Sequence, residues 1–172
     1  MTLSLDTDRA RCAGPRHTVQ GVLAIPSTLI REDGEVDIPS FRQVLGFCVE
    51  CGAHGLVFPV NASEFTSLSD AERLTLAEVL VEQNDRRLRV IAGVAGASEE
   101  AAARFGKHVR DTGADGVTAM PHYVRRGEFP ERVVFDYYRK TSDAARIPVF
   151  TQNHVPPVGT NTPAGFISKP CR

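Results

Sequence analysis

Four clusters of polar residues stand directly behind apolar segments of the chain: Ser27 and Thr28; Asn61, Ser63 and Glu64; His122 and Tyr123; and Gln152, Asn153 and His154. Together they offer hydroxyls, carboxamides, a phenol and imidazoles, groups that bind carboxylates and carbonyls and pass protons. No nucleophile and base stand at a spacing that pairs them. Glu64 with His122 and His154 is a donor set that a divalent cation would accept. No two histidines share a short metal-binding spacing, so each reads as a surface or hydrogen-bonding group and no metal is expected. Asn61 and Asn153 suit loop turns equally well.

These residues need elements to hold them, and the apolar segments supply them. Strand-like runs begin near Gly21 (GVLAIP), Gly55 (GLVFPV), Leu88 (LRVIAGV), Gly116 (GVTAMP) and Ile147 (IPVFTQ), at intervals of 28 to 34 residues. Each is rich in Val, Ile or Leu with little polar alternation, the pattern of a strand covered on both faces. Helical periodicity fills the gaps. Phe41, Val44, Leu45 and Cys48 mark the first helix. The second opens at Ser69-Asp70-Ala71-Glu72, a capping box, and carries Leu74, Ala77 and Val81. A third starts at Ser98, carries Ala102, Phe105 and Val109, and stops at Gly113. The fourth follows Pro130 and carries Val134, Tyr138, Thr141 and Ala145.

Strand and helix alternating at this period imply βαβ units with parallel strands. Cys51-Gly52-Ala53-His54-Gly55-Leu56-Val57 echoes Thr112-Gly113-Ala114-Asp115-Gly116-Val117-Thr118. In each, the first glycine is expected to end a helix and the second to turn the chain into a strand. In parallel α/β folds the reacting groups gather at the carboxyl ends of strands, which is where the four polar clusters fall. The expected fold is α/β, a TIM (β/α)8 barrel of which the first five βα units are present. An open doubly wound sheet is the competing architecture, although no strand is followed by a G-x-G-x-x-G turn to cradle phosphates.

The chain has 172 residues, enough for one sizeable core, with 42% hydrophobic and 24% charged residues. A net charge of -1 argues against nucleic acid or an anionic membrane as partner, and Arg86-Arg87 and Arg125-Arg126 read as solvated loop charge. No apolar run is long enough for a membrane span, and Met1 to Arg16 lack the apolar segment of a secretory signal, so a cytoplasmic protein is expected. Of Cys12, Cys48, Cys51 and Cys171, only the middle two are suggestively spaced. Both fall on the expected apolar helix face and are read as buried, reduced thiols. The expected organisation is a flexible leader over residues 1–19, a partial barrel over 20–163 and a tail over 164–172.

From about Gln20 to Pro163 the chain resembles the dihydrodipicolinate synthase and N-acetylneuraminate lyase family. Gly21-Val22-Leu23-Ala24-Ile25-Pro26, followed by Glu32-Asp33-Gly34-Glu35-Val36-Asp37, is similar to that family's first strand and acidic-glycine loop. Val60-Asn61-Ala62-Ser63-Glu64-Phe65-Thr66-Ser67-Leu68-Ser69, with Glu72-Arg73, resembles its glycine-threonine-threonine-glycine-glutamate segment and continuation. Val90 to Val94 resembles the third strand. Gly113-Ala114-Asp115-Gly116 with Pro121-His122-Tyr123 resembles the fourth, and Ile147 to Asn153 with Val155-Pro156 and Gly159 the fifth.

The resemblance implies a class I aldolase-type lyase that binds pyruvate or a related 2-keto acid as a Schiff base on a lysine, with no cofactor and usually as a tetramer. It assigns carboxylate binding to the positions of Ala62 and Ser63, a proton-relay position to Asn61, and the relay tyrosine shared between subunits to Tyr123. Gln152 stands where most members carry a tyrosine that moves protons, and an amide cannot act as a phenol-like acid. Asn61 and Ala62 replace two threonines. These departures point away from classical dihydrodipicolinate synthesis and toward another 2-keto acid. The family's lysine lies on the sixth strand, which this sequence does not reach. Lys169, beside Pro170, is not expected to replace it. The expectation for the 172 residues alone is an inactive half barrel whose open edge promotes self-association or calls for a partner.

Overall fold

The computed structural model describes residues 19–121 and 131–153. The expected tail and nearly all of the expected leader lie outside them, as do His122, Tyr123 and His154.

Five strands, Leu23–Ala24 (β1), Gly55–Phe58 (β2), Arg89–Gly93 (β3), Gly116–Ala119 (β4) and Val149–Thr151 (β5), form one parallel sheet in the order β1-β2-β3-β4-β5. Sequence order and spatial order coincide. A doubly wound sheet would reverse its order at a switch point; here there is none, so the barrel reading holds. Helices Ile38–Glu50 (α1), Asp70–Asn84 (α2), Glu99–Thr112 (α3) and Glu131–Ala145 (α4) join the strands, and each packs on the next.

Pairing register sorts the strand residues into two faces. Ala24, Leu56 and Val90 lie side by side, as do Phe58, Ala92, Val117 and Val149, and all belong to the core shared with the helices. Between them, Val57 beside Ile91, and Gly93 beside Thr118 and Phe150, fall on the opposite face, the inner wall of a barrel.

Local chemistry explains the helix boundaries. Asp37 caps α1 by accepting the Ser40 N–H at 3.0 Å. Ser69 and Glu72 form the expected capping box of α2, and the Glu72 carboxyl is held below its usual range by the Ser69 hydroxyl and N–H. Ser98 caps α3, and Gly113 ends it at φ +111°.

Three sequence expectations change. Cys51 is not on the buried face of α1: it is the C-cap residue and exposed, because helical rotation no longer governs side-chain direction where the helix stops. Cys48 is half-buried, and burial pushes its thiol pKa up. The buried stripe of α2 is Arg73, Leu76, Ala77, Val79, Leu80 and Asn84, with Leu74 and Val81 at its margins, because α2 is covered by the sheet and by both neighbouring helices. Finally, Gly52 and Gly113 do adopt positive φ, but Gly55 and Gly116 do not. Those two glycines answer to crowding. A Cβ on Gly55 would lie 2.6 Å from Leu23 Cδ2 and 2.9 Å from the Arg89 carbonyl, and one on Gly116 would lie 3.1 Å from both Ile91 and Phe150.

Candidate active site at the carboxyl rim of the sheet

The chain leaving β2 turns tightly. It passes through a cis Phe58–Pro59 bond into two 3-10 turns, Asn61–Ser63 and Phe65–Ser67, joined at Glu64 in the left-handed region with φ 54°. Ser63 is fully buried. Its hydroxyl donates to the Pro26 carbonyl at 2.9 Å, while its own carbonyl accepts from the Thr28 hydroxyl at 2.6 Å. This one residue therefore staples the exits of β1 and β2 together in both directions. Beneath it, Pro59 crosses so close to Gly93 that a Cβ there would sit 1.6 Å from the Pro59 carbonyl oxygen. Only glycine at the end of β3 permits the crossing.

The staple decides what the turn can offer a ligand. The Ser63 O–H is already committed. The N–H groups of Ser63 and Glu64 close the turn on Val60 and Asn61. That leaves the half-buried Asn61 and the exposed Ala62 at the start of the turn, whose own N–H groups are not those that close it. Such donors suit a carboxylate.

Across the sheet, the exit of β4 is fixed by its carbonyls. Ala119 accepts from the Gln152 N–H at 2.9 Å and the Tyr138 hydroxyl at 3.2 Å, and Met120 accepts from the Tyr137 hydroxyl at 2.8 Å. The Asn61 side-chain amide reaches the Met120 sulfur at 3.9 Å, joining the two exits. Gln152 itself is half-buried at the end of β5. Asn61, Ala62, Ser63 and Gln152 thus all stand at the carboxyl ends of strands, while Tyr123 falls outside the described residues. Glu64 is exposed, and no group of three metal-ligating side chains exists among the described residues.

Sequence reading gave no role to two contributors, Arg73 and Tyr137. Arg73 is buried with its Nη2 donating to the Ala95 carbonyl at 2.6 Å and its guanidinium 4.1 Å from the Phe105 ring. Burial lowers its pKa, opposed by the charge of Asp70. Tyr137 is buried and its pKa pushed up to about 12 by burial. The signal for Arg73 was present, since 73, 76, 77, 80 and 84 share one helical face. Tyr137 and Tyr138 were adjacent, and only packing chose Tyr137 as the more deeply buried.

Two lysines lie among the described residues. Lys107 is exposed on α3, and Lys140 on α4 is engaged by Glu99 and Glu100. No helix among the described residues is long and apolar enough to cross a membrane.

Against known proteins, residues 18–154 match the Dihydrodipicolinate synthetase family. The chain is 31% identical over 159 residues to L-2-keto-3-deoxyarabonate dehydratase from Azospirillum brasilense, covering 92% of this chain and 50% of that protein. Among solved structures, it resembles YagE, a prophage protein of the dihydrodipicolinic acid synthase family from E. coli K12 crystallised with pyruvate. There the TM-score is 0.76 and identity 26%, covering 82% of this chain and 47% of that one. N-acetylneuraminate lyase from Fusobacterium nucleatum shares the fold, with TM-score 0.77, 19% identity, and coverage of 86% and 50%. The chain spans about half the length of the relatives it matches.

Proposed function

The chain belongs to the dihydrodipicolinate synthetase family, and on that premise we propose that it supplies the substrate-cradling half of a lyase acting on a sugar-derived 2-keto acid. Asn61 and Ala62 offer donors to the carboxylate, Ser63 holds their turn in place, and Gln152 hydrogen-bonds near the keto group without serving as an acid. Tyr123 contributes the relay phenol. The amine comes from outside these 172 residues. A lysine there condenses with the C2 ketone and releases water. The iminium so formed takes up the electron pair freed at C3, either when the C3–C4 bond breaks or when a C3 proton is lost ahead of the C4 hydroxyl. Pyruvate or a related 2-keto acid is its ligand. The protein works in the cytoplasm as a homo-oligomer, with no cofactor.

The observation that carries this reading is the Ser63 staple, which holds the Asn61–Ala62 donors at the strand ends. The 31% identity to a keto-deoxy sugar-acid dehydratase supports the substrate class, as does the amide of Gln152 where a phenol would favour classical dihydrodipicolinate synthesis. The test is trapping with pyruvate and borohydride. The 172-residue chain alone is expected to stay unlabelled. The same chain fused to the C-terminal half of the Azospirillum relative is expected to gain one covalent adduct. Labelling of the chain alone would overturn the external amine, and an unlabelled, folded fusion would overturn the lyase.

A further inference from the structure

The peptide joining Ser63 to Glu64 is held at both ends by other parts of the rim. Its carbonyl oxygen accepts from the Thr28 hydroxyl at 2.6 Å, and its N–H donates to the Asn61 carbonyl at 2.9 Å. The residue that follows has a reason to leave this arrangement. Glu64 stands in the left-handed region, φ 54° and ψ 39°, where the Cβ of an L residue crowds its own backbone. No glycine is present at this position to make that conformation easy. Rotating the one peptide by half a turn would carry Glu64 to negative φ and relieve the crowding. The same rotation would pull the Ser63 oxygen off Thr28 and the Glu64 N–H off Asn61. Ser63 itself does not resist it. Its hydroxyl and its N–H are bonded to Pro26 and Val60, both ahead of the bond that rotates. The hydroxyl of Thr28, 35 residues earlier at the β1 exit, holds the oxygen in place.

We propose that Thr28 is a positioning residue for the candidate site: its hydroxyl keeps the Ser63–Glu64 peptide from turning over, and so keeps closed the turn that presents Asn61 and Ala62. The consequence rests on the lyase reading, in which that turn binds the substrate carboxylate; the geometry does not. With the peptide turned over, the Asn61 carbonyl loses its donor, and the 3-10 turn over Asn61–Ser63 opens where the carboxylate would sit. Thr28→Val keeps the branched shape and removes the hydroxyl, whereas Thr28→Ser keeps the hydroxyl. Glu64→Gly removes the crowding that favours rotation, since glycine takes positive φ freely.

The test is hydrogen exchange on the full 172-residue chain, corrected for intrinsic rates. In Thr28→Val, exchange of the residue 64 amide is expected to rise about tenfold, the worth of one hydrogen bond, while the strand amides of Val90 and Val117 stay unchanged. Thr28→Ser is expected to stay within about twofold of the parent. Adding Glu64→Gly to Thr28→Val is expected to recover about fivefold of the lost protection, because the turned-over peptide no longer relieves any crowding. No rise at residue 64, an equal rise at Val90 and Val117, or no recovery with serine or with glycine would each overturn the proposal. In the fusion, Thr28→Val is expected to raise the pyruvate concentration for half-maximal trapping about tenfold, with the saturating rate changed less than about threefold. A lower saturating rate at unchanged half-saturation would overturn the positioning role. If the unsubstituted fusion does not trap pyruvate, the lyase reading fails, and hydrogen exchange still decides what Thr28 holds.

Discussion

The helix-facing side of the sheet and its carboxyl rim are both buried, yet they are built on different chemistry. On the helix side, Leu56, Phe58, Val90 and Val117 are almost fully covered and meet other apolar groups. Burial there is non-directional, so shape and volume matter and identity matters less. At the rim, the buried groups are Ser63, Arg73 and Tyr137, and each contributes a hydrogen bond to a particular carbonyl: Pro26, Ala95 or Met120. Loss of one hydroxyl there strands a named acceptor. The first region makes the sheet stable; the second makes its strand ends stand in one arrangement.

Substitutions sharpen that contrast in order of size. Phe58→Ala empties a site against Phe41, whose ring centroid lies 4.8 Å away, and is expected to cost about 3–5 kcal/mol. Phe58→Leu should cost far less by urea titration, and equal losses for the two would break the view of this face as volume-driven. Gly93→Ala comes next. The added carbon cannot share space with Pro59, so a loss of about 3 kcal/mol is expected together with displaced exits of β2 and β3. A variant as stable as the parent would show that the crossing yields easily.

Ser63→Ala removes one hydroxyl and leaves the Pro26 carbonyl without its donor, for an expected cost of about 1–2 kcal/mol. Its mark is local: rim amides should exchange faster while the helix-facing strands keep their protection. The pH responses are smaller still. Tyr137 holds its proton more firmly when folded, so its contribution is complete below about pH 10, the ordinary phenol value, and is lost as pH rises toward about 12. Tyr137→Phe should remove that alkaline component from the unfolding curve. Glu100 has the opposite sign. Its hydrogen bond with Lys140 holds its pKa down at about 2, so its contribution is present above the ordinary carboxyl range and fades as pH falls toward about 2, with strong screening by salt.

Much of this molecule is local and can be read from spacing. Ser69 and Glu72 announce a helix start three residues apart, Ser98 and Gly113 bracket another helix, and five apolar runs at a steady interval imply parallel βαβ units. The rule that chemistry gathers at strand ends selected Asn61, Ser63 and Gln152, the resemblance added Ala62, and all four stand at the carboxyl ends of strands.

Periodicity is a relation between residues a few places apart, and with the Ser69, Ser98 and Gly113 boundaries it determined the alternation of strands and helices along the chain. It carries no information on which atom meets which across 37 residues, the separation of Ser63 from Pro26. Only the assembled sheet decided that Gly55 and Gly116 serve space and not φ, that Cys51 faces solvent, and that Tyr137 reaches Met120. Those outcomes depend on register and layer contact, where a shift of one residue exchanges the buried face for the opposite one.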